Sequence, residues 1–298
     1  MMKSFWQKYF GYVLGLLLAI AVLIGIASYH SLADKVVPEN SAKATVYFLD
    51  VGQGDAELIE TGKDQQVLID GGPGSAVLTK LGEVMPYYDK TIETVVLSHP
   101  DADHLRGLID VLKRYEVKRV IEFKVNVDKQ IYTEWKNLIQ EKQIEDLELK
   151  NGDKVDISSD AKLDIVFPYA DDLGKTTQNL NDSSLVCQLV VGDVKFLFTG
   201  DAEKEEIDKI ISKEGNIQSQ IYKVGHHGSR NATTADFLEH LWPEVAVISV
   251  GAGNSYGHPN QEVLSLLDLY AVKTYRTDKN GTVKISTDGK SYKVDVQK

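Results

Sequence analysis

Val95-Val-Leu-Ser-His-Pro-Asp-Ala-Asp-His-Leu-Arg-Gly107 is the stretch whose reading decides the fold. Three apolar residues followed by Ser98 read as a short buried strand running out into a loop. The loop carries His99, Asp101, Asp103 and His104, four side chains with metal-ligand chemistry within six residues. Irregular backbone can turn several of them toward one centre, and clusters of His and Asp are the usual mark of a metal site. Beyond it, Leu105, Leu108, Ile109 and Leu112 fall at helical spacing, which predicts a helix starting just past His104 and reaching Tyr115. Its N-terminal end would face the ligand loop and favour carboxylates or an anion there.

Working outward toward the N-terminus, 92–97 is the strand that feeds this loop and 77–88 a helix before it. The segment 66–70 is a strand ending in Asp70-Gly-Gly-Pro-Gly74. That Gly-rich turn lacks the Lys-Ser/Thr ending of a phosphate loop and the spacing of a dinucleotide fingerprint, so Asp70 and its glycines read as a close-packed structural turn near the site. Strands are expected at 44–50 and 56–60, with the turn Val51-Gly-Gln-Gly-Asp55 between them. Toward the C-terminus, 117–123 is a strand and 131–144 a helix. Short strands follow at 147–149, 153–157 and 162–167, then a hairpin of 185–191 with 195–199 through Gly192-Asp193. Helices at 202–214 and 234–241 alternate with strands at 220–224 and 245–250. A helix ending at Tyr270 and a closing pair of strands complete the chain.

The content of 43% hydrophobic residues in 298 is ordinary for a globular chain with a proper core, and no internal repeat points to a solenoid or propeller. Residues 9–33 contain no Asp, Glu, Lys or Arg, while Lys3 and Lys8 precede them. The stretch is close to the ~20 apolar residues that span a hydrocarbon core, and the flanking lysines favour a cytoplasmic N-terminus. The expectation is a single-pass membrane anchor over 1–33, a polar linker over 34–43 and a domain over 44–298 outside the cytoplasm. The competing expectation is a secreted protein cleaved near Ala33, after Ser31-Leu32-Ala33. Removing residues 1–33, with two lysines and no acids, takes the formal net charge from −11 to −13. A body this acidic repels polyanions at long range and disfavours tight nonspecific nucleic-acid binding. The single cysteine, Cys187, has no intramolecular partner for a disulfide.

The remaining candidate ligands recur where a strand ends in Gly or Pro: Asp201 after Gly200, His226 and His227 before Gly228, and His258 before Pro259. Of seven histidines only His30 and His240 fall elsewhere, and both read as structural. Sites built on loops at one edge of stacked sheets suit a hydrolase.

At this point a family resemblance is plain. The segments Phe48-Leu-Asp-Val-Gly-Gln-Gly-Asp-Ala56, Leu68-Ile-Asp-Gly-Gly-Pro73, Ser98-His-Pro-Asp-Ala-Asp-His104, Asn181-Asp-Ser-Ser-Leu-Val186, Phe198-Thr-Gly-Asp-Ala202, Lys223-Val-Gly-His-His-Gly-Ser229 and Tyr256-Gly-His-Pro259 carry it. The chain resembles metallo-β-lactamase-fold hydrolases, and more narrowly the soluble hydrolase domain of ComEC-type competence proteins. The resemblance implies a four-layer α/β/β/α sandwich, here behind one N-terminal transmembrane helix. It also implies two divalent metal ions, zinc or manganese, with no organic cofactor. His99 and Asp101 would serve the first metal, Asp103, His104 and His227 the second, and Asp201 both. His226 and His258 would contact substrate or protonate the leaving group, and Asp103 would also hold the attacking water. Ser229 is a weaker phosphate contact. Two departures from the commoner pattern stand out: Asp101 occupies a position where histidine is usual, and no His lies between His104 and His226. Asp182 is the best replacement for the missing ligand, with Asn181 and Ser183 also within reach. Oxygen donors there weaken a site for zinc and make it more tolerant of manganese.

The activity implied is a phosphodiesterase or nuclease, with DNA among its candidate substrates because ComEC-like domains are associated with degradation of a DNA strand. The alternatives are an envelope phosphoester hydrolase of the choline-phosphate type and a noncatalytic, metal-stabilised binding module.

Overall fold

The computed structural model of the chain describes residues 41–62, 65–174, 179–215 and 217–298. The expected anchor over 1–33 and most of the linker lie outside the described residues. Among those described, no helix is long and apolar enough to cross a membrane.

Two mixed sheets form the centre. Strands β1 (Ala44–Phe48), β2 (Glu57–Thr61), β3 (Gln66–Ile69), β4 (Thr91–Leu97), β5 (Glu116–Glu122) and β6 (Glu145–Leu147) lie side by side in sequence order. The second sheet is equally sequential: β7 (Lys154–Asp156), β8 (Ala161–Phe167), β9 (Val186–Val191), β10 (Val194–Phe198), β11 (Ile221–Lys223), β12 (Val245–Ile248) and β13 (Lys273–Arg276). The closing hairpin of β14 (Val283–Thr287) and β15 (Tyr292–Val296) returns to the first sheet against β1. Each sheet is half antiparallel and half parallel. Strands β3 to β6 and β10 to β13 are the parallel halves, which need crossover helices to cover their faces.

The period-two pattern of the first sheet explains the layering. Val67, Ile69 and Val96 point into a core shared with the second sheet, where Phe48 and Phe198 stack with ring centroids 6.1 Å apart. Their neighbours Leu68, Val95 and Leu97 point the other way. They are covered by α1 (Ala76–Val84), α2 (Ala102–Arg114) and α3 (Gln130–Glu141). Strands buried on both faces read as continuous apolar runs, as Val95-Val-Leu97 does. On the far side of the second sheet lie α4 (Lys204–Glu214), α5 (Ala235–Leu241) and α6 (Gln261–Leu269), while α7 (Thr277–Asn280) is one turn before β14. Of the expected fold, the mixed α/β architecture of two sheets is borne out for the described residues.

One element differs where it matters. Helix α2 begins at Ala102, not past His104, with Asp101 as an extended N-cap whose carbonyl accepts from the amides of His104 and Leu105 at 3.1 and 2.9 Å. The apolar periodicity is silent over this first turn because Asp103 and His104 face the site, so pattern alone starts the helix a turn late. Asp103 and His104 therefore project from a rigid helix end. That end is held against the Asp70-Gly-Gly turn: the Gly71 amide donates to the His104 carbonyl at 2.8 Å and the Gly107 amide to the Gly72 carbonyl at 3.0 Å.

A Cβ on Gly107 would meet the Gly71 carbonyl oxygen at 1.8 Å, with backbone on both sides of the clash. Gly107→Ala is expected to destabilise the chain by about 2–3 kcal/mol, the upper range for overpacking. It should appear as a lowered urea midpoint with an unchanged slope.

Candidate metal centre

Carboxyl ends of the parallel strands converge on one edge, and five of them deliver site residues. Strand β3 ends at Asp70, β4 at Ser98 and His99, β10 at Asp201, β11 at the 225–228 turn, and β12 at the loop carrying His258. Crevices at such strand ends are where open α/β sheets bind ligands.

Three histidines are held in the same way. His104 is fully buried, and its Nδ1 lies 2.7 Å from Asp70 Oδ2, which leaves Nε2 3.4 Å from Asp201 Oδ1. His227 pairs Nδ1 with the Ser249 carbonyl at 2.9 Å and with Asp55 Oδ1 at 3.2 Å, presenting Nε2 to Asp103 Oδ2 at 3.2 Å and Asp201 Oδ2 at 3.7 Å. His99 meets Ser98 Oγ through Nδ1 at 3.0 Å, and its Nε2 lies 3.6 Å from Asp101 Oδ2. Anchoring one ring nitrogen to a carboxylate or carbonyl is how proteins fix the tautomer and aim the other nitrogen at a metal. The turn that presents His226 and His227 is strained, with both residues in the left-handed region at φ 47° and 53°. Such backbone persists only where its surroundings enforce it, and it clusters at functional sites.

The donor set fits a divalent ion. His99 Nε2, His104 Nε2 and Asp201 Oδ1 are buried and have no hydrogen-bond partner, a state that costs free energy unless something else engages them. Ligand atoms of His99, His104 and Asp201 lie within 4.8 Å of one another, as do those of Asp103, His104 and His227, and those of Asp55, Asp201 and His227.

Charge points the same way. Asp55, Asp70 and Asp201 are buried against one buried ammonium, Lys223, whose Nζ donates to Asp55 Oδ2 at 2.5 Å. Burial favours neutral Lys223, but Asp55, Glu57 and Asp201 outweigh it and push its pKa up. Burial, reinforced by Asp55, pushes the Glu57 carboxyl well above its ordinary range. Burial opposes charge on Asp201, yet His104 and His227 hold its carboxyl well below the usual range. Burial likewise opposes charge on His227, but the Asp201 and Asp55 carboxylates push the imidazole up to about 10.

Sequence-selected residues thus divide into groups. His99, Asp103, His104, Asp201 and His227 are brought together. Asp101 reaches His99 with one oxygen while Lys129 Nζ donates to the other at 2.6 Å. His226 sits at the rim, with Nε2 3.8 Å from Asp201 Oδ2 and Nδ1 3.1 Å from Glu203 Oε1. His258 packs on His226 with ring centroids 5.5 Å apart, and burial followed by His226 and His227 lowers its pKa. Asp182 is not brought into the ligand groups: Asn179 Nδ2 donates to its Oδ1 at 2.8 Å. Ser183 turns away to the Leu180 carbonyl, and Asn181 Nδ2 donates to Glu203 at 3.1 Å. Ser184, which carried no expectation, accepts from the Asp201 amide at 3.1 Å and fixes that residue. Asp55 and Lys223 were also missed, although both stand inside quoted motifs.

With this geometry in place, comparison with known proteins is direct. The model of the metallo-β-lactamase superfamily matches residues 49–251. The chain belongs to that superfamily. It is 32% identical over 265 residues to ComE operon protein 3 of Bacillus subtilis and 28% identical over 270 residues to competence protein ComA of Neisseria gonorrhoeae. These alignments cover 83% and 89% of this chain but 34% and 35% of those proteins, so the chain spans about a third of their length. Among solved structures, the metallo-β-lactamase fold protein YhfI of Bacillus subtilis superposes with a TM-score of 0.55, covering 82% of this chain and all of that one at 11% identity. By family the chain is thus a metallo-β-lactamase superfamily member whose relatives include competence proteins.

An ion taken up beside His227 must displace its proton at neutral pH, because the Asp201 and Asp55 carboxylates push that imidazole up to about 10. Zinc or manganese affinity should therefore rise with pH between 6 and 8, with protons released in calorimetry run in buffers of different ionisation enthalpy. Saturating metal at ~100 times Kd should stabilise the chain by about 2.7 kcal/mol in thermal melts. Asp201→Ala is expected to lose that gain.

Proposed function

We propose that the chain is a metal-dependent phosphodiesterase that acts on nucleic acid, tethered to the membrane through residues 1–33 with its hydrolase domain outside the cytoplasm. The observation that carries the reading is the set of three histidines, each locked through Nδ1 and open through Nε2 around Asp103 and Asp201. His99, Asp101 and Asp201 would hold one ion, and Asp103, His104, His227 and Asp201 the other. Ions bound there would supply Lewis acidity, lowering the pKa of water and offsetting the negative charge that develops on the phosphoryl oxygens.

The chain's own groups do the rest. Asp103, a third exposed at the site's rim, accepts a proton from the attacking water and orients it toward phosphorus. His226 and His258 stand on the open side of Asp201, where their N–H groups donate to phosphoryl oxygens and His226 protonates the departing oxygen. Asn126, Lys129 and Asn179 line a 440 Å³ pocket beside Asp101, giving a phosphate or sugar both an ammonium and amides to bind. The names of the competence relatives support a DNA substrate over a β-lactam. The acidic composition favours a second reading, a small envelope phosphoester, because it offers no long-range attraction to a polynucleotide.

Full-length protein loaded with zinc or manganese should hydrolyse bis-p-nitrophenyl phosphate and single-stranded DNA but not a β-lactam. Asp103→Asn should lower turnover by roughly 10²–10⁴-fold. Turnover unaffected by this change, or activity confined to the lactam, would discard the mechanism, and activity on choline phosphate esters alone would move the assignment to the second reading. In intact cells, external protease is expected to remove the domain. Protection of the domain would reverse the topology.

A further inference from the structure

The loop between β12 and α6 is built to present an aromatic ring at the mouth of the site. Asn254 braces it from within: its Nδ2 donates to the carbonyls of Gly251 and His258 at 3.1 and 2.7 Å, and its Oδ1 accepts from the amides of Tyr256 and His258 at 3.2 and 3.1 Å. The loop is docked at both ends. The Gly251 amide donates to Gln53 Oε1 at 3.0 Å, and the Asn260 amide to the Gly228 carbonyl at 2.9 Å.

On this braced loop Tyr256 is 69% exposed. Its ring lies nearly parallel to that of His258, 25° apart with centroids at 5.9 Å. His258 in turn meets His226 edge-on at 5.5 Å, and His226 Nε2 is 3.8 Å from Asp201 Oδ2. A ladder of rings thus leads from the bridging carboxylate to solvent. The other strongly exposed aromatics among the described residues, Tyr87, Tyr88 and Trp242, have no ring contact with a site histidine.

A tyrosine on a braced loop has only two side-chain torsions to lose when it is buried against a flat aromatic ligand, and stacking needs no positive charge. That second property matters for a chain of net charge −11, which cannot draw in a strand through its overall field. We propose that Tyr256 is a nucleobase-stacking platform, seating the base of the nucleotide whose phosphate lies beside Asp201. The proposal rests on the phosphodiesterase reading for the place of the phosphate and adds the specificity element: the enzyme favours nucleotidyl over aliphatic phosphoesters through a base contact that ignores base identity.

The test is binding of two compounds that a phosphodiesterase does not turn over. Full-length, metal-loaded protein is titrated with thymidine 5′-monophosphate and with deoxyribose 5-phosphate, which lacks the base. Wild type is expected to bind the nucleotide about tenfold more tightly, the scale of one base–aromatic stack. Tyr256→Ala should erase the preference while leaving deoxyribose 5-phosphate affinity unchanged, and Tyr256→Trp should keep or strengthen it. Equal affinity in wild type, no binding of either compound, or a preference that survives Tyr256→Ala overturns the platform. Wild-type turnover of bis-p-nitrophenyl phosphate reports separately: its absence would sink the phosphodiesterase reading, whereas its presence without base preference would sink the platform alone.

Discussion

The buried carboxylates of Asp55, Asp70 and Asp201, set against the buried ammonium of Lys223, are the constraint on which the site depends. An unpaired charge in a low-dielectric interior is costly, so each carboxylate must find protons, donors or cations. Asp70 takes the amide and hydroxyl of Ser98 and the Nδ1 of His104. Asp55 takes Lys223 and lies against His227. Asp201 receives the least: histidine nitrogens stand 3.4–3.8 Å away and one oxygen has no partner. The remaining negative potential is thereby concentrated at the point where three imidazoles open. A cation there completes the electrostatics that folding leaves unfinished, and the same logic explains the strained backbone at His226 and His227. About 1–3 kcal/mol of strain per such residue is held by contacts on both sides, the Gly200 carbonyl on the His226 amide and the Ser249 carbonyl on His227 Nδ1.

Much of this was legible in the sequence because the ligands share a local signal. His99, Asp201, His226, His227 and His258 each follow a strand and adjoin Gly or Pro, so strand pattern and punctuation together locate them. The start of α2 was not legible, because its first turn turns Asp103 and His104 inward to the site and leaves apolar spacing to begin at Leu105. Asp101 also looked like a free ligand. Only the fold brings Lys129, 28 residues later, onto its second oxygen.

Asp182 illustrates a different limit. The family resemblance made it the replacement for a missing ligand, but Asn179, three residues away, takes up one of its oxygens, a contact no periodicity announces. Asp55 and Lys223 lie 168 residues apart, and each alone reads as an exception: an acid in a turn and a lysine in a buried strand. Their meaning appears only as a pair. Local pattern reports what a residue's own segment does, whereas satisfaction of buried charge is decided by which distant segment arrives opposite.

The placement of the ligands along the chain has a consequence for the order of events in the cell. His99, Asp103 and His104 belong to the first sheet and are made early, while Asp201 and His227 come from the second, more than ninety residues later. During synthesis His99, Asp103 and His104 emerge before Asp201 and His227, the residues they face in the folded cluster. Domains fold as units once their long-range contacts can close, so the candidate ligands meet only when the second sheet docks. The cluster able to hold an ion is thus complete only when the second sheet has docked on the first.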